Sequence, residues 1–364
     1  MIILGIETSC DETAAALVEE TGDRARPWRL RSSVVASQVE IHREWGGIVP
    51  ELSARQHIRD ICGVVERALA DGGATYDAVA VTAGPGLVGS LLVGVSFAKA
   101  LAWSRSVPLV SVHHLAGHIE SLVLEHGELE LPAVVLVVSG GHTSLYRIQE
   151  PGAYDVLGRT RDDAAGEAYD KVAKLLGLGY PGGPIVDRLA RRGNDRAVAL
   201  PTLRLTHADR NAPDLKGDLD FSFSGLKTAV LRYVREHQQG LALGRDTAPD
   251  SSRLDAGSVF NSEQTADLCA SFQRVVVKTL IDRTFDAARR CQARSIGIAG
   301  GVSANTRLRA ELKARGERRE IPTFLPSLQL STDNAAMIAA AGIRKLGQSA
   351  IAPPDLNADA ALRL

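Results

Sequence analysis

Aromatic side chains, cysteines and surplus charge are all scarce in this chain. Phe, Trp and Tyr make up 4% of its 364 residues, whereas glycine reaches 34. That balance suits a fold of tight turns and close helix contacts. The formal net charge is −1, without the clear basic excess of a dedicated nucleic-acid binder, which argues weakly against an RNA partner. An RNA contact would have to use a local patch or a partner protein. The runs Arg188, Arg191, Arg192 and Lys313, Arg315, Arg318, Arg319 read first as solvated helix faces. Cys10, Cys62, Cys269 and Cys291 are scattered, with no C-x-x-C pair, so a disulfide scaffold is excluded and a reducing compartment fits. The most apolar stretch, Leu87–Trp103, contains Gly89, Gly94 and Lys99 and is too polar for a membrane span. The strand-like segment Ile2–Ile6 has no basic stretch or cleavage site before it. A cytoplasmic protein without membrane contact is expected.

Length allows two domains, and short apolar runs alternating with helical patterns argue an α/β class. Ile2–Ile6 and Ala14–Glu19 flank a polar turn. Asp77–Thr82 reads as a strand, Leu87–Trp103 as a helix and Leu109–Val112 as another strand. The opening pattern then recurs. Ala133–Val138 is a buried-type strand, Ser139-Gly-Gly-His-Thr143 a turn and Ser144–Ile148 a returning strand. Such a repeat predicts two related halves with a boundary near Leu131-Pro132. Helices are expected at Ala164–Leu176, Ile185–Arg192 and Gly225–Glu236, the last with Ser224 as its N-cap. A strand is expected at Ser295–Ala299, with helices from about Asn305 and over Ala335–Ile343. Leu203–Lys216 and Gly240–Ser258 read as loops, and the segment after Ile351 as a loose tail.

The sharpest local signal is His113-His114-Leu-Ala-Gly-His118. On a helix, residues four apart share a face, so His114 and His118 could present two imidazoles to one metal while His113 points elsewhere. Spacing alone leaves open a pair of hydrogen-bonded histidines. A zinc-protease reading fails, because H-E-x-x-H needs a Glu after the first His and this chain has Leu115. A two-His site needs a third ligand, often a carboxylate. Asp333 is a candidate, although Ser331, Thr332 or Asp333 could equally cap the Ala-rich helix that follows.

Gly84-Pro-Gly-Leu-Val-Gly89 matches a dinucleotide fingerprint in spacing but lacks the acidic residue about 20 positions on. It is no P-loop either, since Ser90 stands where Lys is required. It reads as a tight, closely packed turn. Ser139-Gly-Gly-His-Thr143, Pro181-Gly-Gly-Pro184 and Gly300-Gly301 are three Gly-rich turns after core elements, and together they favour a nucleotide-like ligand. Asp163, Glu167 and Asp170 fall on one helical face. Glu167 with Lys171 and Asp170 with Lys174 are spaced as ion pairs. Glu7, Asp11 and Glu12 lie in or beside the first hairpin turn, where acids serve an active cleft or face water.

Nine motifs follow in order: Ile6-Glu-Thr-Ser-Cys-Asp-Glu-Thr13, the Gly84 turn, His113–His118, Ser139–Thr143, Asp162-Asp-Ala-Ala-Gly-Glu167, Tyr180–Pro184, Phe221-Ser-Phe-Ser-Gly-Leu-Lys227, Ala299-Gly-Gly-Val-Ser-Ala-Asn305 and Ser331–Asn334. Taken together, from Ile3 to about Leu346, the chain resembles the tRNA adenosine threonylcarbamoyltransferase family, once called O-sialoglycoprotein endopeptidases. The stretch Gly240–Ser258 is longer than that family's pattern.

The resemblance implies an actin-like, duplicated two-domain ATPase fold built of ribonuclease-H-like units. Residues 1–130 with 330–364 would form one unit and 131–329 the other. It implies transfer of a threonylcarbamoyl group from threonylcarbamoyl-AMP to the adenosine beside the anticodon in tRNAs reading codons that begin with A. It also implies His114, His118 and Asp333 as ligands of one divalent metal, Fe2+ first and Zn2+ as the alternative. Val137, Val138, Ser139, Gly140, Gly141, Asp170, Gly183, Asp187 and Asn305 would line the nucleotide and threonylcarbamoyl site. Asp11 and Glu12 are the candidate catalytic acids, Asp11 as proton acceptor. The partners implied are tRNA, an inactive paralogue and a small ATPase. Competing readings are an actin-like ATPase or small-molecule kinase, a non-catalytic scaffold, and the old peptidase assignment.

Overall fold

The computed structural model describes residues 1–23, 25–202, 217–242 and 260–364. The reading of residues 203–216 as a loop lies outside the described residues. So does the reading of Gly240–Ser258, apart from its first three residues, which close a helix.

Two five-stranded mixed sheets organise the chain. The first comprises β1 (Ile2–Glu7), β2 (Glu12–Glu20), β3 (Trp28–Ser37), β4 (Ala78–Gly84) and β5 (Leu109–His113), in the order β3-β2-β1-β4-β5. The second comprises β6 (Ala133–Val138), β7 (Thr143–Ile148), β8 (Tyr154–Arg159), β9 (Ser295–Ala299) and β10 (Thr323–Phe324), in the order β8-β7-β6-β9-β10. In each sheet the first three strands form an antiparallel meander, and the last two join parallel to the opening strand. One topology therefore occurs twice, as the repeated strand–turn–strand pattern predicts. In both sheets the opening hairpin has four residues between its strand ends, 8–11 and 139–142.

Helices cover the sheets in layers. The outer face of the first sheet packs on α2 (Pro50–Gly72) and α3 (Val88–Arg105), with a core including Leu4, Leu17, Ile61 and Val95. A short helix, α1 (Val39–Arg43), precedes them. Between the sheets lie α4 (His114–His126) and α11 (Ala335–Gly347), and their core draws residues from both sheets, among them Ile3, Val112, Val135 and Ile338. Beyond the second sheet lie α5 (Ala165–Leu175), α6 (Gly182–Ala190), α7 (Ser224–Ala242) and α8 (Ser262–Arg290), around Tyr169, Phe221 and Phe272. Further helices are α9 (Thr306–Arg319) and α10 (Leu328–Ser331), with a 3-10 turn at Gly301–Ala304 before α9.

The alanine-rich sequence of α11 has a packing cause. The helix lies on β1 so closely that a Cβ at Gly5 would sit 2.2 Å from the Ala335 carbonyl oxygen. Gly117 of α4 similarly faces Ile338 and Met337. Small residues let the two central helices approach each other and the sheet, where bulkier ones would overpack.

Three expectations are corrected. The segment after Ile351 is not loose. Its backbone is tied to the first sheet by Ala352 N–H to Leu109 O and Asp359 N–H to Ala83 O, both 2.8 Å, and Leu356 and Ala358 pack against the outer core. The Gly84 turn faces this segment and Ser9, because Cβ atoms at Gly84 and Gly86 would meet Asp359 O and Ser9 O. Ser224 does not cap α7 from outside but is its first residue. Asp162 does the capping, accepting from the backbone N–H groups of Phe223 and Ser224 at 2.7 and 3.2 Å. Asp170 does not pair with Lys174. It accepts instead from Gly182 N–H at 2.7 Å, and Lys171 takes both Asp163 and Glu167, at 2.5 and 2.9 Å.

Candidate metal centre

β5 runs straight into α4, which delivers His113, His114 and His118 together. His113 acts as the cap of α4, its Nδ1 accepting from Leu115 N–H at 3.1 Å, while its Nε2 faces Leu362 O at 3.1 Å. It is thus turned away from its neighbour, as helical spacing predicts. His114 and His118 share a face one turn apart, with ring centroids 4.8 Å apart and nearly perpendicular.

Asp333 closes the set from the start of α11. Its Oδ1 lies 3.6 Å from His114 Nε2 and 3.2 Å from His118 Nε2. The capping question left open by the sequence is decided by the next residue, because Asn334 Oδ1 accepts from Met337 N–H at 3.0 Å. Asp333 is thereby released from the helix and points at the histidines.

The donor atoms of His114, His118 and Asp333 lie within 4.8 Å of one another. His118 is fully buried, and neither of its ring nitrogens makes a hydrogen bond. Its Nε2 approaches Asp333 Oδ1 without the alignment of one. A buried imidazole left in that condition is costly. Two imidazoles and a carboxylate converging on one point form a donor set that suits a divalent transition ion.

Glu7, at the end of β1, supplies a second carboxylate. Its Oε2 lies 3.0 Å from His114 Nδ1 and accepts from Thr82 Oγ1 at 2.7 Å, while Oε1 accepts from Ser9 N–H. A carboxylate behind a metal-binding imidazole fixes its tautomer and turns Nε2 towards the ion. Burial alone would lower the His114 pKa, but Asp333 and Glu7 outweigh it and hold the ring up at about 9. Burial would likewise raise Glu7 and Asp333, and the charged His114 keeps both below the ordinary carboxylate range. A buried carboxylate, Glu7, and a half-buried one, Asp333, beside two imidazoles call for positive charge. A proton on His114 supplies one unit, and a divalent ion would supply two.

The opposite wall comes from the second sheet. The turn after β6 brings His142 to within 6.4 Å of the His114 ring, centroid to centroid. Burial, then the charge of His114, pushes His142 down to about 4, so this ring is neutral at physiological pH. The site therefore sits where the two equivalent hairpin turns meet. Ser9 and His142 are neighbours of the site to which the sequence assigns no role, and Glu7, read there only as an acid beside the first turn, proves to be the partner of His114. His142 belongs to the Ser139–Thr143 motif, but Glu7 meets His114 across 107 positions, and spacing carries no sign of that.

The remaining candidates divide. Asp11 is buried in the first turn, and Glu12 is pushed well above the carboxylate range by burial and then by Asp11. Gly140, Gly141, Gly183 and Gly301 face open space, since a Cβ at any of them would have no neighbour within 4 Å. Ser139 Oγ accepts from His142 N–H at 3.2 Å. Val137 and Val138 are wholly buried in two different cores, so their side chains line no cleft. Asp187 already accepts from Thr306 Oγ1 and Gln273 Nε2, at 2.8 and 3.1 Å. Asn305 caps α9 through Leu308 N–H and donates to Gln273 Oε1. The polar atoms of both residues are thus engaged in internal bonds. Burial raises Asp170 above its ordinary range, and its bond to Gly182 opposes that.

Among the described residues, no helix is long and apolar enough to cross a membrane. Residues 29–340 match the family model TsaD, described as tRNA N6-adenosine threonylcarbamoyltransferase. Relatives bearing that name include one from Koribacter versatilis, 49% identical over 100% of this chain and 99% of its own. One from Anaeromyxobacter dehalogenans is 50% identical with the same coverage, and one from Moorella thermoacetica is 47% identical over 98% and 95%. Among solved structures, full-length HypF in a phosphate- and nucleotide-bound form aligns with a TM-score of 0.55 at 13% identity, covering 94% of this chain and 55% of that one. That likeness concerns the fold alone, and with the repeated sheet topology it identifies a duplicated, actin-like α/β architecture.

Proposed function

Because the chain belongs to the tRNA N6-adenosine threonylcarbamoyltransferase family, and so is a transferase that modifies tRNA, we propose that its donor is threonylcarbamoyl-AMP and its acceptor the N6 amine of adenosine 37. That adenosine lies 3′ of the anticodon in tRNAs reading ANN codons. Membership decides against the kinase, scaffold and peptidase readings. The observation that carries the finer proposal is the meeting of a charged turn and an open turn at His114, His118 and Asp333.

In the transfer, the amine nitrogen bonds to the carbamoyl carbon, the anhydride C–O bond breaks, and AMP leaves with the electron pair. The nitrogen loses a proton, which we assign to Asp11, with Glu12 beside it. An aromatic amine is a weak nucleophile, so holding the donor in line supplies much of the rate. Gly140, Gly141 and Gly301 offer backbone approach free of side chains. The starts of α6, α7 and α9 are already engaged by Asp170, Asp162 and Asn305, which leaves the glycine turns for the phosphate. Asp170, Gly183, Asp187 and Asn305 would shape the rest of the pocket. Iron, with zinc as the alternative, held by His114, His118 and Asp333 would polarise a carbonyl or fix a carboxylate.

We assign residues 1–130 with 330–364 to the unit carrying the metal ligands and 131–329 to the unit carrying the glycine turns. A net charge of −1 favours sharing the tRNA with an inactive paralogue and a small ATPase, in the cytoplasm. The test is to incubate the chain and those partners with threonylcarbamoyl-AMP and unmodified tRNA, then analyse nucleosides by mass spectrometry. Threonylcarbamoyladenosine is expected, and its absence would sink the proposal. His118→Ala should lower both bound metal and product, the latter roughly a hundredfold or more.

A further inference from the structure

Behind the first hairpin turn lies a buried polar chain that the metal centre does not use. His57 of α2, His42 of α1, Gln38, Ser53, Thr13 and Ser90 are all buried. Their proton positions follow from two backbone groups. Val49 N–H donates to His42 Nδ1 at 3.3 Å, so the His42 proton is on Nε2, which faces Gln38 Oε1 at 3.2 Å. That fixes the Gln38 amide, whose NH2 turns to Ser53 O and His57 Nδ1, each at 3.4 Å. At the far end, His57 Nε2 lies 3.0 Å from the Cys10 carbonyl, which can only accept. His57 is therefore neutral and protonated on Nε2, and its Nδ1 accepts from Thr13 Oγ1 at 2.8 Å. Burial favours the same state. Both ends require one orientation throughout.

The chain ends on the backbone around Asp11. The Cys10 carbonyl accepts from His57 and also from Ser53 Oγ. The Asp11 carbonyl accepts from Gln38 N–H at 2.9 Å, and the Ser9 carbonyl from Leu87 N–H at 2.8 Å. A peptide group is planar, so bonds to Cys10 O and Asp11 O hold the two planes on either side of the Asp11 Cα. Both backbone torsions of Asp11, and with them the direction of its Cα–Cβ bond, are thereby restrained.

We propose that His57 is a positioning residue for the transfer reaction, holding the Asp11 turn in register through the Cys10 carbonyl. This deepens the function proposed above and rests on it. His57 touches neither the metal ligands nor the open glycine turns. Its removal should leave metal and substrates bound but the reacting groups misaligned, and small misplacements are expensive in rate.

The test compares the parent with His57→Leu, which fills the space without a donor, and His57→Gln, whose amide N–H can reach Cys10 O. All are assayed with the partner proteins for kcat, KM, metal content and melting temperature. His57→Leu should lose kcat roughly tenfold or more, with KM for tRNA and for threonylcarbamoyl-AMP within about twofold and metal content unchanged. His57→Gln should recover most of that loss. The proposal is overturned if kcat survives in the Leu variant, if Gln and Leu are equally impaired, or if the loss lies in KM or bound metal. A second measurement reads the parent's own geometry and uses the Gln variant only to assign the signal. 15N NMR of histidine-labelled parent should show, beside His42 and His113 with the same tautomer, a neutral ring protonated on Nε2 whose signal alone is missing from the Gln variant, and an Nδ1-protonated ring as the missing signal overturns the proposal. A parent without transferase activity would refute the function and leave the NMR arm to judge the positioning geometry.

Discussion

The hairpin turns 8–11 and 139–142 occupy equivalent places in equivalent sheets, yet they are built from opposite materials. The first is dense. Its carbonyls are taken by Leu87, His57, Ser53 and Gln38, Glu7 at its entry grips His114, and Gly86 packs against Ser9. The second has its carbonyls bonded too, Ser139 O by Gly166 N–H at 3.2 Å and Gly140 O by Glu167 N–H at 3.1 Å, but it is spare in side chains, with Gly140 and Gly141 facing open space and a neutral His142 closing it. A duplicated scaffold thus brings two copies of one corner together, and divergence lets one copy supply fixed charge while the other supplies room. Neither would make this site alone.

The comparison can be broken where the dense turn meets the candidate metal centre. Glu7→Gln removes the charge behind His114 while keeping its size. Metal affinity should fall roughly 10–100-fold, read by competition with a chelator, and an unchanged affinity would show that the first turn does not tune the centre. Next in size, Gly86→Ala puts a methyl 2.5 Å from Ser9 O and should destabilise the fold by about 1–3 kcal/mol, measured by denaturant melts. A comparable effect, spread over a pH range, should come from acid. His113 is pushed down to about 4, chiefly by burial, whereas an unfolded chain protonates histidine near pH 6.5. Its contribution is complete above about pH 6.5 and is lost as pH falls towards 4, on the order of 1–3 kcal/mol in all. His113→Gln should flatten that part of the stability curve. Smallest of all, Gly141→Ala in the spare turn should shift stability by less than about 0.5 kcal/mol while raising KM for threonylcarbamoyl-AMP. A large stability loss there would erase the contrast.

Much of this architecture is legible before folding. β6 and β9 coincide with the apolar runs Ala133–Val138 and Ser295–Ala299, because fully buried strands need no polar positions. The His114–His118 face follows from helical period alone. Other features are hidden by distance. Glu7 reaches His114 and Asp162 caps α7 across long stretches of chain, and local pattern encodes neither contact. The segment after Ile351 looks loose because backbone hydrogen bonds hold it, and these leave no mark on composition. Two long helices, α2 and α8, escape the reading although their starts are marked, by Pro50 and by the Asn261–Gln264 capping box. Asp187 and Asn305 show a further limit. The family resemblance implies a ligand contact for both, and the fold adds what no motif shows, that their polar atoms also bond to Thr306, Gln273 and Leu308.

The position of α11 also bears on how the chain is made. All five strands of the first sheet are specified by residue 113, but the helix that seals their inner face begins at Ala335. A ribosome emitting this chain exposes that apolar face until almost the whole sequence has emerged, while the second sheet waits for β9 to reach β6. Nascent chains halted before α11 should therefore recruit holdase chaperones, and chains that include it should be released from them.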